Sequence, residues 1–255
     1  MNQFSKVIVR TPGRSMVSGI TAANLGTPDY EKALAQHHQY TLALQACGLQ
    51  VEVLEADEAC PDSTFVEDVA VLTPQCAVIT RPAAPSRLAE IEGIRPVLAR
   101  HYSRIEQITA PGTLDGGDVM QIGEHVYIGL SRRTNPSGAG QLVAILQRYG
   151  LAGSTVPVTE FLHLKTGVTW IGGNRLLAAG EFIERREFAS FDILPVDAAD
   201  SVAANCLRIN DSILMPAGFP RVRAQLEPLA ERVIEIDISE YTKLDGGLTC
   251  LSLRF

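Results

Sequence analysis

The stretch Val168-Thr169-Trp170-Ile171-Gly172-Gly173-Asn174-Arg175-Leu176-Leu177-Ala178 contains two runs of residues that favour β-strands, separated by Gly172-Gly173-Asn174. Glycine and asparagine can adopt a positive φ, so this arrangement predicts a β-hairpin. The same signals predict three further hairpins, which join 66–72 to 76–80, 119–122 to 125–128, and 204–209 to 212–215. The first strands of the four hairpins, and a further strand that starts at Leu248, recur at intervals of about 35 to 55 residues.

Helical patterns lie between the hairpins. Thr27-Pro28 can start a helix that ends at Gly48, Asn135-Pro136 can start a second, and a third is predicted near 220–233. A hairpin, a helix and a further strand, repeated about five times, predict radial repetition of one α/β unit in a single domain, 1–255. The last strand, 248–255, would then pair with 6–10 and close the ring. A plain α+β domain with coincidental spacing is the alternative.

Composition limits the function classes. The chain of 255 residues has 22 Lys and Arg against 29 Asp and Glu, which gives a net charge of -7. This acidic balance argues against general binding to nucleic acids. No stretch approaches the ~20 apolar residues that cross a bilayer, and the apolar run near the start is too short for a signal peptide. These observations predict a cytoplasmic protein with no membrane partner.

The cysteines are odd in number and irregularly spaced, at Cys47, Cys60, Cys76, Cys206 and Cys250. No C-x-x-C pair occurs, which disfavours a zinc ribbon or a thioredoxin-type site. In a reducing compartment most free cysteines are small buried apolar residues. Cys250 is the exception, because it ends the glycine-rich turn 245–250, where a thiol can be accessible.

Chemically active residues cluster where the predicted strands begin. They are Asp62, Glu67-Asp68, Asp115-Gly116-Gly117-Asp118, His163 and Cys250. In a ring of repeats the equivalent strand ends converge on the axis, so carboxylates, an imidazole and a thiol can meet there. Such a site can bind a cation and attack it. Each residue alone has a simpler interpretation, because carboxylates beside turns often cap backbone amides and a single histidine is more often structural.

Segments across essentially the whole chain resemble the bacterial dimethylarginine dimethylaminohydrolases. The strongest matches are PDSTFVED at 61–68, LDGGD at 114–118, LHLKTG at 162–167 and LDGGLTCLSLRF at 244–255, with further matches at 10–12, 79–82 and 131–135. The resemblance implies the pentein fold, an α/β five-bladed propeller built from pseudo-symmetric ββαβ repeats. That fold agrees with the repeat predicted from the hairpins.

The resemblance also implies the site residues. Cys250 is the implied nucleophile, His163 the general acid and base, and Asp115 the carboxylate that orients His163. The implied substrate contacts are Asp62, Glu67 and Asp68 near the guanidinium, Arg87 and Arg133 at the α-carboxylate, and the backbone of Ile20 and Leu244. Bacterial members carry glutamate where this chain has Asp115, whereas mammalian members have the Leu-Asp-Gly-Gly-Asp form. A shorter carboxylate keeps the role but can shift His163.

The implied reaction is hydrolysis of Nω-methylated arginines to citrulline and dimethylamine or methylamine, through a thiouronium on the cysteine. The implied partner is a small guanidine amino acid, with no organic cofactor and no metal, and a homodimer is allowed. The alternatives are an arginine deiminase, an amidinotransferase or a citrulline hydrolase of the same fold, and a non-catalytic pentein-fold binding protein. The segment 13–26 is predicted to be a lid that excludes water once substrate is bound.

Overall fold

The computed structural model describes residues 3–255 and contains five three-stranded sheets. In every sheet the first strand is antiparallel to the second, and the second is parallel to the third. The sheets, called blades one to five, contain in this order Ala70–Leu72, Ala77–Ile79 and Ile105–Gln107; Val119–Ile122, His125–Leu130 and Ala152–Pro157; Val168–Gly172, Arg175–Ala179 and Asp192–Val196; Leu207–Ile209, Ser212–Pro216 and Arg232–Ile236; and Leu253–Arg254, Lys6–Arg10 and Gln50–Leu54. The molecule is a five-bladed α/β propeller, as the repeat predicted.

The two ends of the chain share blade five. Val7 pairs with Arg254 and Ile8 with Leu253 in antiparallel register, while Lys6–Arg10 runs parallel to Gln50–Leu54. The predicted closure of the ring by the C-terminal strand is therefore confirmed.

The first strand of three blades is shorter than predicted, because a 3₁₀ helix takes up the beginning of each segment. These helices are Val66–Val69 in blade one, Ala198–Ala204 in blade four and Thr249–Leu251 in blade five. The physical reason is close packing at the axis. In blade one, for example, a Cβ atom on Gly116 of blade two would lie 2.0 Å from the carbonyl oxygen of Glu67, so the segment before the strand packs directly against the neighbouring blade.

Residues 3–255 form six α-helices. They are α1 (Tyr30–Ala46), α2 (Glu90–Leu98), α3 (Pro136–Arg148), α4 (Leu164–Gly167), α5 (Pro220–Leu226) and α6 (Ser239–Thr242). α1 begins slightly later than predicted, after Asp29, whose side chain accepts a hydrogen bond from the amide of Lys32. α3 begins where predicted, because the side chain of Asn135 caps it by accepting from the amide of Gly138.

The other connections differ from the prediction. α2 was not predicted, since Gly93 and Pro96 weaken its helical signal. α5 ends at Leu226 rather than near residue 233, because Pro228 lies in the following 3₁₀ turn, Glu227–Leu229. Blade three has two 3₁₀ turns, Gly180–Phe182 and Arg186–Phe188, where the repeat predicts a helix.

The first strands of the blades surround a central channel with a cavity of about 1000 Å³. Apolar side chains pack in five clusters around it, one of which joins Val7, Tyr40 and Leu44 to Leu207 and Leu251. Among residues 3–255, no helix combines the length and apolarity needed to cross a membrane.

Candidate active site

A small pocket lies at one end of the propeller axis, where the segments in front of the first strands converge. Eight of the ten predicted site residues line it, namely Ile20, Asp62, Asp68, Arg87, Arg133, His163, Leu244 and Cys250. Its cavity has a volume of about 30 Å³, which is close to the space of one water molecule. The pocket must therefore enlarge before it can hold an amino acid.

His163 is held by Asp115, which is completely buried behind it. Nε2 of His163 lies 3.1 Å from Oδ2 of Asp115, and Oδ1 of Asp115 accepts from the amide of Ala83 at 3.2 Å. Burial alone would lower the pKa of His163, but Asp68 and the hydrogen bond to Asp115 outweigh it and raise that pKa to about 9. His163 is therefore protonated at neutral pH. The aspartate reaches the histidine despite its short side chain.

Asp68 also lies near this imidazole, with one oxygen within 4.8 Å of both a ring nitrogen of His163 and an oxygen of Asp115. Its Oδ1 accepts from the amide of Gly117 at 3.0 Å, and its Oδ2 is paired with Nη1 of Arg87 at 2.5 Å. Burial would raise the pKa of Asp68, but the positive charges of His163 and Arg87 lower it to about 2. Gly117 is required here, because a Cβ atom on it would lie 2.7 Å from Nδ1 of His163. Asp68 thus presents a carboxylate to the pocket at neutral pH.

The thiol of Cys250 faces the pocket from the 3₁₀ helix Thr249–Leu251. Its Sγ accepts a hydrogen bond from the amide of Gly247 at 3.4 Å. Burial, followed by the negative charges of Glu67 and Asp68, raises the pKa of Cys250 to about 12. At neutral pH the pocket therefore holds a neutral thiol and a protonated imidazole. Cys250 is buried like the other four cysteines, so the structure does not show the accessibility expected from the turn, but among the five it alone lines this pocket.

The remaining lining residues surround the pocket entrance. Asp62 accepts from the amide of Ile20 through Oδ1 at 2.9 Å, which ties the segment 13–26 to the pocket wall. Nη1 of Arg133 lies 3.7 Å from Oδ2 of Asp115. Arg87 is buried, and its guanidinium binds both oxygens of Glu90 as well as Asp68. Arg133 is the more accessible of the two arginines, with 17% of its side chain exposed against 5% for Arg87.

Glu67 does not line this pocket. Its Oε1 lies 2.7 Å from both Nζ of Lys165 and Nη2 of Arg254, and all three side chains line the central channel. Glu67 and Asp68 are neighbours in one 3₁₀ helix, so their side chains leave the chain in different directions. The structure therefore brings Asp68 to the pocket and Glu67 to the channel.

Sequence reasoning missed residues that join the segments of the site. Arg254 donates from Nη1 to the carbonyl oxygens of Thr249 and Ser252, which flank Cys250. Asn205 donates to the carbonyl oxygen of Lys165 and accepts from the amide of Thr249. One feature of the sequence could have identified Asn205. It lies two residues before the first strand of blade four, as Asp68 lies two residues before the first strand of blade one.

Asp68, Asp115 and His163 each place a possible metal ligand atom within 4.8 Å of the others. The guanidinium of Arg87 on Asp68 puts a positive charge beside this cluster. That charge disfavours a divalent cation, and it leaves the same residues suited to acid–base chemistry.

Comparisons with known proteins agree with this geometry. The family model described as arginine deiminase matches residues 58–215. A dimethylarginine dimethylaminohydrolase of Pseudomonas aeruginosa is 51% identical over 99% of this chain and 100% of that protein. This chain belongs to the dimethylarginine dimethylaminohydrolase family. A family member from Streptomyces coelicolor is 37% identical over 98% of this chain and 96% of that protein.

Solved structures of the dimethylarginine dimethylaminohydrolase family superpose on the whole chain. A cysteine-to-serine mutant of the Pseudomonas aeruginosa enzyme, complexed with citrulline, has a TM-score of 0.98 and 50% identity, with 100% of both chains covered. The N-terminal domain of ArgZ, a cyanobacterial arginine dihydrolase, has a TM-score of 0.88 at 17% identity over 98% of this chain and 97% of that chain. The second likeness supports the fold alone, which is that of the pentein superfamily.

Proposed function

We propose that this protein hydrolyses asymmetric dimethylarginine and monomethylarginine to citrulline and dimethylamine or methylamine. The observation that carries the proposal is the meeting of Cys250, His163 and Asp68 in one pocket, with Asp115 behind the histidine. Two solved relatives support it, since one is complexed with citrulline and another forms an adduct with S-methyl-L-thiocitrulline.

Substrate binding requires groups that match both ends of the amino acid. Asp62 and Asp68 are suited to the guanidinium, because carboxylates form charge-assisted hydrogen bonds with its N–H groups. Arg133 and Arg87 are suited to the α-carboxylate, and Arg133 can reach it with less rearrangement because Arg87 is already paired with Glu90. The backbone of Ile20 and Leu244 lies at the same pocket. Opening of the segment 13–26 would supply the missing volume.

The chemistry follows from the protonation states. The positive charge of the bound guanidinium favours ionisation of the Cys250 thiol, whose proton leaves to solvent because His163 is already protonated. The thiolate adds to the central guanidinium carbon and gives a tetrahedral intermediate. Protonated His163 donates its proton to the departing dimethylamine, which leaves a cationic thiouronium on the sulfur. The neutral imidazole then takes a proton from water, whose oxygen attacks the same carbon. Collapse of this second intermediate expels the thiolate, and the hydroxyl proton leaves to solvent or to the released amine, which gives citrulline.

A related reaction of the same fold is the second candidate, because the arginine deiminase model matches more than half of the chain. A pocket that accepts methyl groups differs from one that rejects them by only ~1–3 kcal/mol. The deciding experiment incubates the purified protein with asymmetric dimethylarginine, monomethylarginine, arginine and citrulline, and measures citrulline and the released amine. Fastest turnover of arginine would favour a deiminase, and loss of citrulline would favour a citrulline hydrolase. Transfer of the amidino group to added glycine would indicate an amidinotransferase.

A non-catalytic binding protein of the same fold would produce none of these products. A homodimer and a cytoplasmic location remain predictions, and so do the absence of a cofactor and of a resident metal. Light scattering in solution tests the first. Turnover that is unchanged after exhaustive treatment with a chelator is expected for a reaction in which a thiol and an imidazole supply the chemistry.

A further inference from the structure

Asp118 is a buried carboxylate that the reaction described above does not use. It is completely buried, and it does not line the substrate pocket. Its two oxygens accept three hydrogen bonds from two parts of the chain, through the amide of Leu164 and through the hydroxyl groups of Ser131 and Thr134, which lie in one turn. The first part carries His163, and the second carries Arg133 and accepts a hydrogen bond from the amide of Asp115.

The first link runs to Asp115. Oγ1 of Thr134 donates its hydrogen to Oδ2 of Asp118 at 2.7 Å. A hydroxyl group has a single hydrogen, so only the lone pairs of Thr134 remain for other partners. They accept from the backbone amide of Asp115 at 3.2 Å. Asp118 therefore fixes the rotation of the Thr134 hydroxyl so that a lone pair faces the amide of Asp115, the carboxylate that contacts His163.

The second link runs to Arg133. Oγ of Ser131 donates to Oδ2 of Asp118 at 2.6 Å, and its lone pairs accept from the amides of Arg133 at 2.9 Å and Thr134 at 3.2 Å. These bonds fix the backbone turn from which Arg133 reaches the pocket. Loss of the serine hydroxyl would free the backbone of Arg133 while leaving the thiol and the imidazole in place.

The third link runs to His163. Oδ1 of Asp118 accepts from the amide of Leu164 at 2.9 Å. Leu164 is the first residue of α4, and His163 directly precedes it. The carboxylate thus holds the peptide bond that follows the histidine.

We infer that Asp118 is a positioning residue which fixes Asp115, Arg133 and His163 in one arrangement through Thr134, Ser131 and the amide of Leu164. It does not touch the substrate. The inference rests on the proposed function, because it assigns Asp115 and His163 to the chemical step and Arg133 to substrate binding.

The inference predicts that the three links separate in kinetics. Thr134→Val removes the acceptor for Asp115, so we expect kcat to fall about tenfold or more with KM changed by less than about threefold. Ser131→Ala removes the acceptor for Arg133, so we expect KM for the methylarginine to rise about five- to tenfold with kcat nearly unchanged. Asp118→Asn should break at least one link, because the single acceptor oxygen of asparagine can serve either the two hydroxyl groups or the amide of Leu164 but not both. Thr41→Val is the matched control, since Thr41 is a buried threonine of α1 whose hydroxyl bonds only to the carbonyl of His37 among the described residues.

A second measurement keeps the test independent of turnover. NMR titration of the His163 imidazole reports its pKa directly, and the charged groups that face this ring are Asp68, Asp115 and Asp118. In Asp118→Asn we expect that pKa to fall, because one negative charge is removed and the contact with Asp115 is loosened. The same titration of Thr41→Val should match the wild type.

The outcomes distinguish the inference from the proposed function. If the wild type releases no citrulline while the His163 pKa shifts in Thr134→Val, which changes no charge, the proposed function is wrong and the positioning of His163 holds. If folded Thr134→Val and Ser131→Ala keep the kcat, the KM and the His163 titration of the wild type, the inference is wrong. A loss of stability alone, with unchanged kinetic constants in the folded fraction, would also overturn it. If Asp118→Asn does not fold, the inference is overturned when Thr134→Val and Ser131→Ala have the same kinetic constants as the control Thr41→Val.

Discussion

Binding of a guanidinium is expected to ionise the Cys250 thiol. The pKa of Cys250 is about 12, because the thiol is buried and lies near Glu67 and Asp68. An enzyme that kept this value throughout its cycle would have almost no thiolate at neutral pH. The perturbation is therefore the addition of an arginine analogue that is bound but not hydrolysed, which brings a positive charge next to the sulfur.

The size of the effect follows from Coulomb's law. A guanidinium and a thiolate ~4 Å apart attract by about 4 kcal/mol at an effective dielectric constant of about 20, which is roughly a thousandfold change in the ionisation equilibrium. At pH 9, a thiol with a pKa of about 12 is ionised in about one molecule in a thousand. With the ligand bound, about half of the molecules should carry the thiolate, and the guanidinium itself remains charged at this pH.

The assay is the ultraviolet absorbance of the thiolate, recorded against pH with and without the analogue. Cys250→Ser provides the baseline, since the other four cysteines are buried and do not line the pocket. A ligand-dependent absorbance at pH 9 that disappears in Cys250→Ser is the expected result. Identical titration curves with and without ligand would refute activation of the nucleophile by its substrate.

Three further results are expected. Cys250→Ser should release no citrulline while its circular dichroism stays that of the wild type, and intact turnover would rule out the covalent mechanism. The pKa of His163 is raised from 6.5 to about 9 on folding, so its protonated form contributes up to about 3 kcal/mol to unfolding free energy below pH 6.5, and this is lost as pH rises through 9. Urea denaturation of the wild type and of His163→Gln should therefore show that the wild type loses unfolding free energy relative to the variant as the pH rises from 6 to 10. A difference in unfolding free energy that does not change with pH would contradict this reasoning. Limited proteolysis within 13–26 should slow when the analogue is bound, and an unchanged cutting rate would count against a lid.

The order of the blades could be predicted from the sequence because each hairpin is indicated by residues that are close together in the chain. Turn residues such as Gly172-Gly173-Asn174 separate β-favouring runs, and they repeat along the chain at similar intervals. The extent of the first strands could not be predicted, since it depends on contacts between blades. Gly116 approaches the carbonyl of Glu67 from another blade, and nothing in the local pattern of either segment reports that contact.

The candidate site shows the same division. The convergence of the strand ends followed from the ring, and the structure brings Cys250, His163 and Asp68 to one pocket. The separation of Glu67 from Asp68 did not follow, because adjacent residues in a 3₁₀ helix diverge and no periodicity indicates which one faces the axis. Arg254, which binds Glu67 from the other end of the chain, comes near it only when the ring closes.

Blade four contributes Asn205 to the axis, where the other blades contribute acids, a base or a nucleophile. The hydrogen bonds of Asn205 show why a neutral amide is suited to this place. Asn205 donates from Nδ2 to the carbonyl oxygen of Lys165 at 2.8 Å, and its Oδ1 accepts from the amide of Thr249 at 3.0 Å. Lys165 follows His163 by two residues, and Thr249 directly precedes Cys250. A carboxylate could accept from Thr249 but could not donate to Lys165, whereas an amide does both at once. The link that sets the histidine segment against the thiol segment therefore depends on a neutral side chain that carries a donor and an acceptor, and the charged residues of the other blades can be kept for the substrate and the proton.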